Sequence, residues 1–196
     1  MWCLKPFLLL VFLFPEAAPV RYEHLLYKPY AEKVTGVHAM YKDLIDIPDS
    51  VLRAERAEEI KVFARMHKDR SLELNVDFFL VFWNTFYQRQ PKEISLRKLT
   101  EQLELTTREN VDFLRARSLR ALAEFYWKIE KNYELAFEQY LLLDKELSSA
   151  KSDDYPEMAG DLMQIGKAYY FSRTMPWPGN TSEKQSCCRK RHSIQW

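Results

Sequence analysis

The sequence predicts an all-α fold, an α-solenoid of antiparallel helix pairs, and three observations carry that prediction. Apolar residues recur at three- and four-residue spacings in segment after segment, the period of one helix face. The breaks between segments are short and polar. Glycine is scarce, at 4 of 196 residues, which disfavours a turn-rich β protein, and no convincing strand interrupts the pattern.

The first twenty residues, MWCLKPFLLLVFLFPEAAPV, have the layout of a secretory signal peptide. Lys5 precedes an apolar run from Phe7 to Phe14, and small residues follow at Ala17 and Ala18. The run is too short to span a bilayer, and Pro15 and Pro19 argue against a core helix. An exported chain, periplasmic or membrane-associated, is expected. Cys3 would leave with this segment. Cys187 and Cys188 lie near the other end, so disulfides do not hold the body together.

From Tyr22 onward helix follows helix. Tyr22 to Lys42 is aromatic and moderately polar. Asp49 or Ser50 can cap Val51 to Met66, where Val51, Ala54, Ala57, Ile60 and Phe63 keep helical spacing. Leu72 to Tyr87 is apolar nearly all round, as a helix buried between neighbours is. Asn75, Asp77, Asn84 and Gln88 interrupt it before it could cross a membrane. Pro91 opens a helix marked by Leu96, Leu99 and Leu103. Thr106-Thr107-Arg108-Glu109 matches a capping box and is expected to start a long helix bearing Val111, Leu114, Leu119, Leu122, Tyr126 and Trp127. Lys131-Asn132 breaks it. Tyr133 to Leu147 and Glu157 to Ser172 follow as helices.

Two stretches repeat at an offset of 42 residues, Ala123 to Leu143 and Ile165 to Arg173. Gly166 and Tyr169 are a small residue and an aromatic three apart. Tyr133, Ala136 and Tyr140 form an aromatic, small, aromatic triplet, and Trp127 aligns with Tyr169. Small residues let helices approach, and aromatics fill the space beside them. Over Ala121 to Arg173 the chain resembles the tetratricopeptide repeat family, exported bacterial type. Glu124 and Leu143 depart from that pattern, and the offset exceeds the usual 34. The resemblance implies a non-catalytic scaffold whose inner surface holds a protein or peptide partner. By position it places Phe125, Lys128, Lys167 and Tyr170 on that groove. It also implies the truncated extracytoplasmic sensor half of a signalling or transcriptional regulator. Membrane attachment would come only through a lost downstream segment or an uncleaved signal.

The domain plan is therefore a signal peptide over 1–20, the helical repeat domain over 21–173 and a disordered tail over 174–196. A net charge of +1 offers no concentrated basic face for nucleic acid. No phosphate loop, zinc spacing or nucleophile elbow is present, and no cofactor or metal is expected. Asp43, Asp46 and Asp49 read as a solvated face and a cap. The competing reading is a helical enzyme or small-ligand carrier with a pocket built from Trp83, Trp127 and nearby tyrosines.

The tail breaks the repeat, and it reads as the right DNA in the wrong frame. Shifted by one base, Met175-Pro176 forces an alanine codon. Trp177-Pro178 forces a second, at the repeat position that Ala136 holds in the earlier copy. Sequencing of the encoding DNA is expected to show a neighbouring frame that continues as helical repeats; an immediate stop there would sink the idea.

Overall fold

The computed structural model describes residues 22–111 and 113–174. The signal-like segment and the tail from residue 175, with all three cysteines, lie outside the described residues. The elements are a 3-10 turn (Glu23–Leu25), then α1 (Tyr30–Ile45), α2 (Ser50–Met66), α3 (Arg70–Phe86), α4 (Lys92–Glu109), α5 (Leu114–Phe125), a π-helical turn (Tyr126–Glu130), α6 (Tyr133–Leu147) and α7 (Met158–Thr174). No strand occurs among the described residues. No described helix is long and apolar enough to cross a membrane.

Short polar signals set most helix ends. The Asp49 carboxylate accepts from the Val51 and Leu52 amides at 2.7 and 3.0 Å, satisfying donors that the first turn of α2 leaves free. Asp69 caps α3 through Leu72 N and also accepts from Tyr27 N, tying the segment just before α1 to the α2–α3 turn. Arg53 holds the other end of α1. Its Nε donates to Leu44 O at 3.0 Å, its Nη2 donates to Ile47 O, and its guanidinium lies 5.0 Å from the Trp83 ring centroid. Asn132 caps α6 through Leu135 N.

Two boundaries differ from expectation. Tyr22 to Lys42 is not one helix, because Tyr27 turns at a φ of 62° and Pro29 precedes α1. Thr106 to Glu109 is not a capping box but the last turn of α4. The Thr106 hydroxyl donates back to Leu103 O at 3.2 Å, and Glu109 faces Arg70. A threonine hydroxyl serves an upstream carbonyl as readily as a free amide. Asn110, left-handed at φ 49°, is what ends α4, and α5 begins only at Leu114. Pro91 sits just before the first helical residue of α4. Helix α7 runs one residue past the expected domain end at 173.

Each helix packs on the next in chain order, and α1, α3 and α5 also touch in turn. Stacked hairpins give this arrangement. Apolar cores are handed along the array. Met40, Leu44, Ile60 and Phe63 join α1 to α2 beside Val76 and Phe79 of α3. Leu74, Phe78, Leu99, Leu122 and Phe125 join α3, α4 and α5. Leu119, Tyr140, Leu143 and Ile165 join α5, α6 and α7, with Tyr30 and Val34 of α1.

The repeat-motif residues divide. Ala136 and Tyr140 are buried, and the rings of Trp127 and Tyr133 meet edge-on at 5.0 Å. The half-buried Tyr169 meets Phe137 edge-on at 5.4 Å and donates to Asp144. Gly166, the small residue of the matched pair with Tyr169, makes no close helix approach. It faces outward with no atom within 4 Å of an added Cβ, while Ala168 and Ile165 take the buried side.

Gly36 is the opposite case. A Cβ there would overlap Leu25 Cδ2 and come 2.9 Å from His24 Nε2, and Leu25 is buried. Gly36→Ala is therefore expected to cost about 1–3 kcal/mol through overpacking. Gly166→Ala is expected to stabilise by about 0.5–1 kcal/mol, because alanine has the better helix propensity and meets nothing. Urea melts of the two variants should move in opposite directions.

Candidate functional site

Three helices each turn one face toward a cavity of about 260 Å³. Helix α1 supplies His38 and Tyr41, α3 supplies Phe78, Phe79 and Phe82, and α5 supplies Arg117, Arg120 and Ala121. Tyr155 and Glu157, from the turn before α7, close it. Phe82 stands three and four residues after Phe79 and Phe78, Arg120 and Ala121 three and four after Arg117, and Tyr41 three after His38, so each set lies on one helix face.

Arg117 is the centre. It is only 8% exposed. Its Nη1 donates to Asn75 Oδ1 at 2.7 Å and its Nη2 to the Tyr41 hydroxyl at 3.0 Å. Tyr41 in turn donates to the Asn75 carbonyl. The rings of Phe78, Tyr41 and Tyr30 lie 4.4, 5.5 and 5.8 Å from the guanidinium carbon. These partners are all neutral, and no ion pair to Arg117 forms among the described residues. Burial would lower the Arg117 pKa, but the surrounding tyrosines and the more distant Glu157 keep it above the ordinary arginine value, so the group is charged. Burial pushes the Tyr41 hydroxyl up, against the pull of Arg117.

Glu157 lies across the cavity. Its Oε1 accepts from the Tyr30 hydroxyl at 2.5 Å and faces His38 Nε2 at 3.2 Å. Its Oε2 is buried and takes no hydrogen bond. Burial alone would raise this carboxyl; His38, Tyr30 and Arg117 outweigh it and hold the pKa below the usual value. Arg120, by contrast, is committed. It donates to Asp161 Oδ1 at 2.8 Å and to Glu124 Oε1 at 3.1 Å, and the Tyr155 hydroxyl completes Asp161 at 2.6 Å. Arg117 thus remains without an ion pair, and the buried Glu157 Oε2 without a hydrogen bond. The cavity brings one carboxylate and one imidazole beside two guanidinium groups, a donor set that suits an anionic group better than a metal cation.

A second surface lies on the outer side of α7. Leu162, Met163 and Tyr170 are 45%, 54% and 66% exposed, and Ala159 and Gly166 share their face. Lys167 and Arg173 are exposed along its edges. The opposite face buries Asp161, Ile165 and Ala168. Beside Asp161, Gln164, Ser172, Thr174 and those cations, the residues of α7 are apolar on its outer as well as its inner side, the pattern of a helix that packs on two sides.

The four residues expected on one groove do not meet there. Phe125 is fully buried in the core between α3, α4 and α5. Lys128, on the π-helical turn, donates to Glu124 at 2.6 Å and lies 5.9 Å from the Phe86 ring centroid. Lys167 and Tyr170 are exposed together on α7. The expected aromatic pocket is not assembled either: Trp83 packs on Phe79, Tyr87 and Arg53, whereas Trp127 packs on Tyr133 and Phe171. Reasoning from sequence missed Arg117, Asn75, Tyr41 and Glu157. Arg117 did carry a signal, standing three residues after Leu114 and four before Ala121, inside an otherwise apolar stripe.

No family model matches the chain, and no curated protein or solved structure matches it.

Proposed function

We propose that the chain is a non-catalytic, helical-repeat scaffold that binds a protein or peptide partner as a helix laid on α7. The outward apolar face of that helix carries the reading. In stacked hairpins this is the face on which a further helix packs, and a partner helix would bury Leu162, Met163 and Tyr170 there. The open space at Gly166 permits close backbone approach. Lys167 and Arg173 favour a partner with acidic residues beside its apolar stripe. The leader-like residues 1–20 support an extracytoplasmic receiving role in a signalling or transcriptional regulator, in the manner of tetratricopeptide-like proteins.

The test is selection of helical peptides against the full chain. Enriched peptides are expected to repeat apolar residues at helical spacing with Asp or Glu beside them. Their affinity should fall about tenfold or more on Met163→Glu and on Gly166→Trp. Neither change touches a buried contact, so neither variant should melt below wild type. Peptides that bind the two variants as tightly as wild type would refute the docking face.

A further inference from the structure

We propose that the cavity between α1, α3 and α5 binds a small zwitterion with an apolar side group, a free apolar or aromatic α-amino acid, with its carboxylate on Arg117 and its ammonium on Glu157. This site is separate from the α7 surface and does not depend on it.

Two incomplete groups of opposite charge face one small cavity. Arg117 is more than nine-tenths buried, is held by Asn75 and Tyr41, and keeps guanidinium hydrogens free of any carboxylate. A buried cation without a counter-charge is costly, and a carboxylate is the group whose geometry matches a guanidinium fork. Glu157 Oε2 is an ionised, buried acceptor without a donor. An ammonium group supplies donor and charge together.

The two groups are further apart than an ion pair, yet Tyr30 spans them: its ring lies near Arg117 and its hydroxyl bonds Glu157. Both residues line the one cavity, where a small molecule bearing both charges meets them together. A dianion or phosphate would meet Glu157 unfavourably, and a simple amine would leave Arg117 unpaired. Phe78, Phe79 and Phe82 offer the side group an apolar wall. The volume of about 260 Å³ falls just below the usual range for ligand cavities, which fits one amino acid rather than a larger ligand.

Isothermal titration calorimetry on the full chain tests this. L-Phenylalanine and L-leucine are expected to saturate the protein with a Kd at or below about 1 mM. N-acetyl-L-phenylalanine lacks the ammonium and L-phenylalaninamide lacks the carboxylate; each should bind about tenfold or more weakly. Glu157→Gln should weaken phenylalanine to a similar degree while leaving the N-acetyl compound unchanged. Arg117→Met should abolish binding of both. Analogues that bind wild type as tightly as the free amino acid would overturn the proposal, as would failure of every apolar amino acid to saturate it. The analogue comparison uses only wild-type protein, so a variant that misfolds does not rescue the idea. Peptide docking on α7 is not read by this experiment, and either proposal can fail alone.

Discussion

Phe125→Ala is expected to cost about 3–5 kcal/mol, the range for removing a large aromatic from a core that cannot collapse around it. Phe125 is completely buried, in one cluster with Leu74, Phe78, Leu99 and Leu122. Three helices meet there, so the cavity cannot be filled by shifting one of them. For a chain of this size that corresponds to a fall in melting temperature of roughly 10 °C. The carry-over from the repeat motif placed Phe125 on a partner groove, where truncation would leave stability almost unchanged and abolish partner binding. Thermal unfolding of the single variant separates these outcomes. A change of less than about 1 kcal/mol would put Phe125 at a surface and break the α3–α4–α5 core as described.

The reasons for that misplacement are physical. Helix existence was legible because burial of one face per helix leaves a period in the chain, and Tyr133 to Leu147 was read to the residue. Which side of a helix is buried depends on how many neighbours it has. Helix α5 has α3, α4 and α6 around it, whereas α7 packs on α6 and leaves its far side open. Positions that align between the two helices, such as Phe125 with Lys167 or Glu124 with Gly166, therefore differ in exposure although Ala123 and Ile165 are both buried. The α4–α5 boundary was hidden because Thr106 can serve either a cap or a helix interior.

The cavity was invisible for another reason. Arg117 reaches Asn75 across 42 residues and Tyr41 across 76. A stripe of Tyr, Asn and Arg on three separate helices looks like three ordinary surfaces until the helices curl together. Each stripe alone is consistent with solvent, and only the stacking of α1 on α3 and α3 on α5 removes the water. The same curl brings the start of α7 to α1, through Glu157 to Tyr30 and His38.

That closure depends on a second buried charge, and Asp161→Ala is expected to cost about 3 kcal/mol. Asp161 is fully buried, with one oxygen on Arg120 and the other on the Tyr155 hydroxyl. Truncation strands both donors beneath α5. Breaking a buried pair typically costs about 3–5 kcal/mol. The lower end applies because the Arg120 side chain is 36% exposed and keeps Glu124. The pH dependence gives an independent check. Burial is the largest influence on Asp161 and holds its pKa above the ordinary 3.8, with Tyr155 and Arg120 opposing it only in part. The folded chain therefore binds this proton more readily than the unfolded chain, and stability from this group rises as pH falls from the raised value toward 3.8. Glu157 behaves oppositely: its folded pKa lies below the ordinary 4.5, so its contribution is present above 4.5 and is lost as pH falls through the lowered value. Urea unfolding at a series of pH values should show wild type gaining on Asp161→Asn as the solution is acidified from neutrality. Wild type should lose ground to Glu157→Gln below about 4.5, where protonation removes the Glu157 contribution. If the two curves bend the same way, burial does not dominate at Asp161, and the Arg120 and Tyr155 contacts outweigh it.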